Sequence, residues 1–96
     1  MKNVRGSCRI PYHAIMEISW SANGESKMVQ ASCLDIALGG ISVESREAIP
    51  VQTAVRLAIA HIDFSGAASV RHVTPRGPQF ILGLELSPET RKAVFE

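Results

Sequence analysis

Cysteine is scarce in this chain of 96 residues: Cys8 and Cys33 are too few for a disulfide framework or a four-cysteine zinc site. The three histidines, His13, His61 and His72, share no HxxxH or HExxH spacing, so no metal site is expected. Aromatic residues are equally few, with one Trp, one Tyr and three Phe. That excludes the stacking array on which small barrels hold single-stranded nucleic acid. Net charge is low as well, at +1, which argues against bulk attraction to a nucleic-acid backbone. No DNA or RNA partner is therefore expected. No run approaches the ~20 apolar residues of a membrane span, and the first residues lack an apolar stretch ending in a cleavage site. A reduced, cytoplasmic location is the expectation.

What is present describes one folded domain over residues 1–96. Hydrophobic residues make up 46% and charged residues 20%, which is not a disordered composition. A chain of this length buries somewhat over ~60% of its unfolded surface, enough for one core. The small net charge also hides an uneven distribution. Lys2, Arg5 and Arg9 precede the first acid, Glu17, while Arg71 and Arg76 lie in a stretch without Asp or Glu between Asp63 and Glu85.

Turn signals recur at short intervals, at Gly6-Ser7, Asn23-Gly24, Gly39-Gly40, Pro50, Gly66 and Pro75 through Pro78. The runs between them alternate with period two, which sends successive side chains to opposite faces of a strand. Residues 53–62 place Val55, Leu57 and Ile59 on one face. Residues 80–86 do the same with Phe80, Leu82, Leu84 and Leu86, and residues 41–45 with Ile41 and Val43. Residues 25–36 start with Val29, Ala31 and Cys33 inward and then change phase at Leu34 and Ile36, as a bulge near Cys33 or Leu34 would require. Residues 12–20 give a first strand, with Trp20 packing a barrel end, and Asn23-Gly24 signals the hairpin that follows. Residues 67–74, or a run starting as early as Phe64, give a fifth. The fold class predicted is all-β, a six-stranded antiparallel barrel. Ser87 as N-cap, Pro88 at the first helical position and Glu89 in the first turn then start a short C-terminal helix. Its Val94 and Phe95 are positioned to cover a barrel opening.

Two elements can carry binding chemistry. Arg5-Gly6-Ser7-Cys8-Arg9 holds two planar, permanently charged guanidinium groups, able to pair with phosphate or stack on a base. Their α-carbons lie about 13 Å apart if the segment is extended, and closer if it turns at Gly6. By spacing alone the pair also fits a solvated N-terminal arm. Asp35-Ile36-Ala37-Leu38-Gly39-Gly40 joins two strands. Its carboxylate can accept hydrogen bonds from a guanine edge, and its glycines allow close approach of a ligand. A glycine-rich hairpin whose aspartate caps nearby N–H groups is the plainer alternative.

Taken together and in this order, RxxxR followed 26 residues after Arg9 by D-x-A-x-x-G resembles the PilZ domain family, the bacterial receptors for cyclic di-GMP. The resemblance spans essentially the whole chain and includes Phe80-Ile-Leu-Gly-Leu-Glu-Leu-Ser-Pro, which is similar to the family's closing strand and following helix. It implies a PilZ-type barrel over residues 12–86, a flexible ligand-binding arm over 1–11 and a C-terminal helix over 87–96. Arg5 and Arg9 would clasp the phosphates and meet the guanines, Asp35 would face a guanine edge, and Gly40 would leave space for the ligand. Ala37 stands where the family usually has serine. Arg71 and Arg76 are secondary candidates, Arg71 projecting outward beside the motif turn. The implied function is a receptor that binds cyclic di-GMP without a cofactor and signals to a downstream protein through ordering of its arm. The alternative is a PilZ-like adaptor that docks a protein with weak or no ligand binding. No catalytic residue is expected, since no nucleophile–base arrangement, metal motif or phosphate-cradling loop is present.

Overall fold

In a computed structural model the described residues are 10, 13–37, 40–59 and 63–95, with the Phe95 side chain excepted. They form six strands and one helix: β1 (Ile15–Ala22), β2 (Glu25–Ala37), β3 (Gly40–Ser45), β4 (Ala54–Ile59), β5 (Phe64–Arg76), β6 (Gln79–Leu86) and α1 (Pro88–Phe95). The strands close into an antiparallel barrel in the order β1-β2-β3-β6-β5-β4. This is the expected all-β architecture with its short C-terminal helix.

Alternation builds the core. Met16, Ile18 and Trp20 of β1, Ala31, Cys33 and Ile36 of β2, and Ile41 and Val43 of β3 are buried. So are Val55, Leu57 and Ile59 of β4, Ala68 and Val70 of β5, and Leu82, Leu84 and Leu86 of β6. Ile49, on the connection from β3 to β4, is fully enclosed too. Ile10, assigned above to the arm, is only 3% exposed and packs into this core. Its apolar side chain gains more from burial than from solvent.

Strand boundaries differ from the sequence reading for identifiable reasons. His13 adopts φ 62 and β1 begins at Ile15; Tyr12, where the sequence reading began the strand, lies outside the described residues. β1 then runs on to Ala22, where Asn23 (φ 53) and Gly24 (φ 80) form a two-residue turn with both centres left-handed. That geometry matches the twist of the flanking strands. β5 continues through Pro75 to Arg76, and the turn narrows to Gly77-Pro78. Proline is tolerated there because β4 pairs with β5 only through residues 64–69, leaving that edge of β5 without a strand to bond. β4 ends at Ile59, and residues 60–62 lie outside the described residues.

The helix is fastened by a polar anchor, Thr90, and an apolar one, Val94. Ser87 Oγ accepts the Thr90 N–H at 3.2 Å, the N-cap arrangement that the sequence signalled. Thr90 is buried; its Oγ1 accepts the Ala67 N–H at 2.8 Å and the Ser87 hydroxyl at 2.8 Å. Its methyl occupies the space a side chain at Gly66 would take, since a Cβ there would lie 2.5 Å from Thr90 Cγ2. Val94, one turn on, is fully buried and covers the barrel as expected. Thr90→Val keeps the shape but strands the Ala67 N–H, so it should destabilise the fold by about 1–3 kcal/mol. Thr90→Ser, retaining the hydroxyl, should lose less. Urea unfolding followed by circular dichroism measures both, and equal stability of wild type and Thr90→Val would show the anchor to be idle.

Candidate functional site

The motif lies within regular strands more than the sequence suggested. Asp35, Ile36 and Ala37 end β2, Gly40 begins β3, and Ala37 pairs with Gly40 across a two-residue connection. Leu38 and Gly39 are outside the described residues. The register of β2 on β3 shifts between Cys33 and Asp35, so Leu34 is the extra residue of a bulge, where the change of phase placed it. Alternation from Ala31 and Cys33 would otherwise carry Asp35 into the core. With the bulge, Ile36 turns inward while Asp35 and Ala37 are exposed on the outer face.

A second bulge lies in β5, where the register on β6 shifts between Val70 and His72. Arg71 is the extra residue, and both Arg71 and His72 are exposed. Val73 takes the inward position that His72 would otherwise have filled, and packs partly buried against the core. The result is a cross-strand row on the outer face, Asp35–Ser42–Gly83–His72, over β2, β3, β6 and β5. The adjacent outward row is Ala37–Gly40–Glu85–Ser69. At the usual strand spacing the platform is about 14 Å wide.

These residues surround an open cleft of about 500 Å³ that Asp35, Ala37, Gly40 and Arg71 all line. Its floor is made of small residues. Gly83 is covered by the His72 ring, and a Cβ at Gly83 would run into that imidazole. Gly40 abuts β6, since a Cβ there would lie 2.8 Å from the Leu84 carbonyl oxygen. Arg91 reaches the cleft from α1, and Arg71 pairs with Glu85 at 3.0 Å. The cleft therefore offers guanidinium groups, carboxylates and an imidazole around a flat, side-chain-poor surface. This suits a planar polar ligand carrying negative charge.

Arg5 and Arg9, the arm arginines, fall outside the described residues. The chain joins the barrel beside the motif, because the Cys33 N–H donates to the Ala14 carbonyl at 2.9 Å. Trp20 is buried in the core and does not form part of the platform. Sequence reasoning did not single out Ser42, His72, Gly83, Glu85 or Arg91. Gly83 and Glu85 were legible as the face opposite Leu82 and Leu84. Only the pairing of β6 between β3 and β5 puts them next to the motif.

The two floor glycines should respond differently to a methyl group. Gly40→Ala forces backbone against backbone and should destabilise the β3–β6 pairing by about 1–3 kcal/mol. Gly83→Ala needs only the His72 side chain to swing away, so stability should change by less than about 1 kcal/mol. Thermal unfolding of both variants makes the comparison, and equal losses would contradict it.

Comparison of the chain with protein-family models, with curated proteins and with solved structures found no match.

Proposed function

We infer that the protein is a receptor domain of the PilZ type that binds cyclic di-GMP. The carrying observation is that Asp35, Ala37, Gly40 and Arg71 line one cleft on the outer face of the barrel. In this reading the Asp35 carboxylate accepts hydrogen bonds from a guanine edge, and the ring system lies flat beside Gly40 and the His72 imidazole that covers Gly83. Arg71, Arg5 and Arg9 meet the two phosphates, with the arm closing over the ligand. Ordering of the arm changes the surface offered to a downstream protein, so the output is recognition and not catalysis. Such a receptor would work in the cytoplasm.

Ala37 tunes this site. Its side chain is exposed beside Asp35 on the outer face of β2, so a hydroxyl there would project toward the cleft. One net hydrogen bond is worth about 0.5–1.5 kcal/mol, so Ala37→Ser should tighten binding roughly two- to tenfold. Calorimetric titration with cyclic di-GMP tests the reading. Wild type should bind, while Asp35→Ala, Arg5→Ala and Arg9→Ala should each weaken binding at least tenfold. Absence of heat at high micromolar ligand, or arginine variants that bind like wild type, would sink it.

A second reading keeps the fold and drops the ligand, making the domain a protein-docking adaptor. Ala37 favours it, as do Ile15 and Met28, which are 54% and 61% exposed and line a second groove. Capture of the same partner by wild type and by the Arg5→Ala/Arg9→Ala double variant, without nucleotide, would select this reading over the first.

A further inference from the structure

The cleft contains an acid that the motif does not account for. Glu85 stands directly opposite Gly40 in the β3–β6 ladder and opposite Ser69 in the β5–β6 ladder. It is therefore one strand away from the motif and projects over the same floor. Its carboxylate oxygen lies 3.0 Å from Arg71 Nη1, and the two side chains are 49% and 61% exposed. Arg71 is the bulge residue of β5 and has no partner of its own in the β5–β6 ladder, and its guanidinium reaches diagonally to Glu85, whose ladder partner Ser69 lies two residues before it. An exposed ion pair of this kind is weak and screened by salt, so a second anion can exchange with it.

We propose that Glu85 is an affinity-setting residue of the cleft, an internal counter-ion that occupies Arg71 until a ligand phosphate displaces it. The proposal rests on the anionic-ligand reading of the site. Binding then carries an electrostatic cost at Glu85: the Arg71 pair must open before the guanidinium can meet the phosphate. That cost weakens the complex, and it disfavours ligands with too little charge to compete. Arg91, on the same cleft, forms no salt bridge among the described residues and would meet the phosphate without such a restraint. The result is a site held below its maximal affinity, one able to release its ligand when concentration falls.

Removing the charge while keeping the shape should therefore strengthen binding. Cyclic di-GMP is titrated into wild type, Glu85→Gln, Arg71→Ala and the double variant at low and high salt. Glu85→Gln should bind about three- to tenfold tighter than wild type at low salt, with the gain shrinking as salt rises. In the Arg71→Ala background the same change should give less than about twofold. Glu85→Gln binding no tighter than wild type, or an undiminished gain without Arg71, overturns the proposal. If wild type does not bind cyclic di-GMP, the functional reading fails by itself. Titration of the same four proteins with inorganic pyrophosphate then decides the inference: the same order supports it, and four equal or undetectable affinities overturn it. Both acids and arginines here are exposed, and unfolding midpoints of all four proteins check that the comparison is made on folded material.

Discussion

Two extra residues, Leu34 in β2 and Arg71 in β5, control which side chains this barrel shows to solvent. In a strand of strict alternation, the face is fixed for the whole length once one residue is buried. Ala31 and Cys33 are inside, so Asp35 would follow them, and Gly66, Ala68 and Val70 would take His72 along. A buried, unpaired carboxylate is strongly unfavourable. Each bulge resets the alternation at the one place where polar residues begin, and hands the inward position to Ile36 or Val73 instead. Both resets border the same cross-strand row, so Asp35 and His72 become the two ends of one outward-facing line through Ser42 and Gly83. The cleft is a consequence of these two insertions.

The same constraint explains what could be read in advance. The slip in β2 was legible because apolar residues change phase there, from Val29, Ala31 and Cys33 to Leu34 and Ile36. The slip in β5 leaves a fainter trace. Val70 and Val73 are three apart, an interval that neither face of a regular strand allows, but the charged and polar residues between them resemble ordinary alternation. Arg71 was placed outward on the sequence pattern and is outward, as alternation with Val70 requires; what the bulge changes is His72, which alternation alone would have turned inward. Strand order carries the remaining information. Nothing local to Phe80-Ile81-Leu82-Gly83-Leu84-Glu85 says that β6 inserts between β3 and β5, and without that insertion Gly83 and Glu85 have no relation to Asp35.

Helix α1 ties the far end of the sequence into this arrangement. Eight residues are too few for a helix to persist alone, so its position depends on Thr90, whose hydroxyl and methyl both meet the β5 backbone around Gly66 and Ala67. The absent side chain at Gly66 has a packing role, as at Gly83 and Gly40. All three glycines are places where another group needs the space: a threonine, an imidazole and a carbonyl oxygen. Anchoring at Thr90 fixes the next residue, Arg91, on the rim of the cleft. The helix N-cap read from Ser87-Pro88-Glu89 thereby helps decide the electrostatics of a surface built mainly by strands.

Those electrostatics favour recognition over simple attraction. A cleft meant only to gather phosphates would present cations alone, as a nucleic-acid surface does. Here Asp35 and Glu85 stand among Arg71, Arg91 and His72, on a chain whose charges sum to +1. Mixed charge lowers the affinity for any anion in general and rewards one that brings hydrogen-bond donors to the carboxylates together with negative charge for the guanidinium groups. A guanine base linked to a phosphate has both on one molecule, at a separation that a platform about 14 Å wide can span. In the proposed reading the near-zero net charge is part of the selectivity: the ligand would be held by the pattern of the surface, and a ligand with charge alone would gain less.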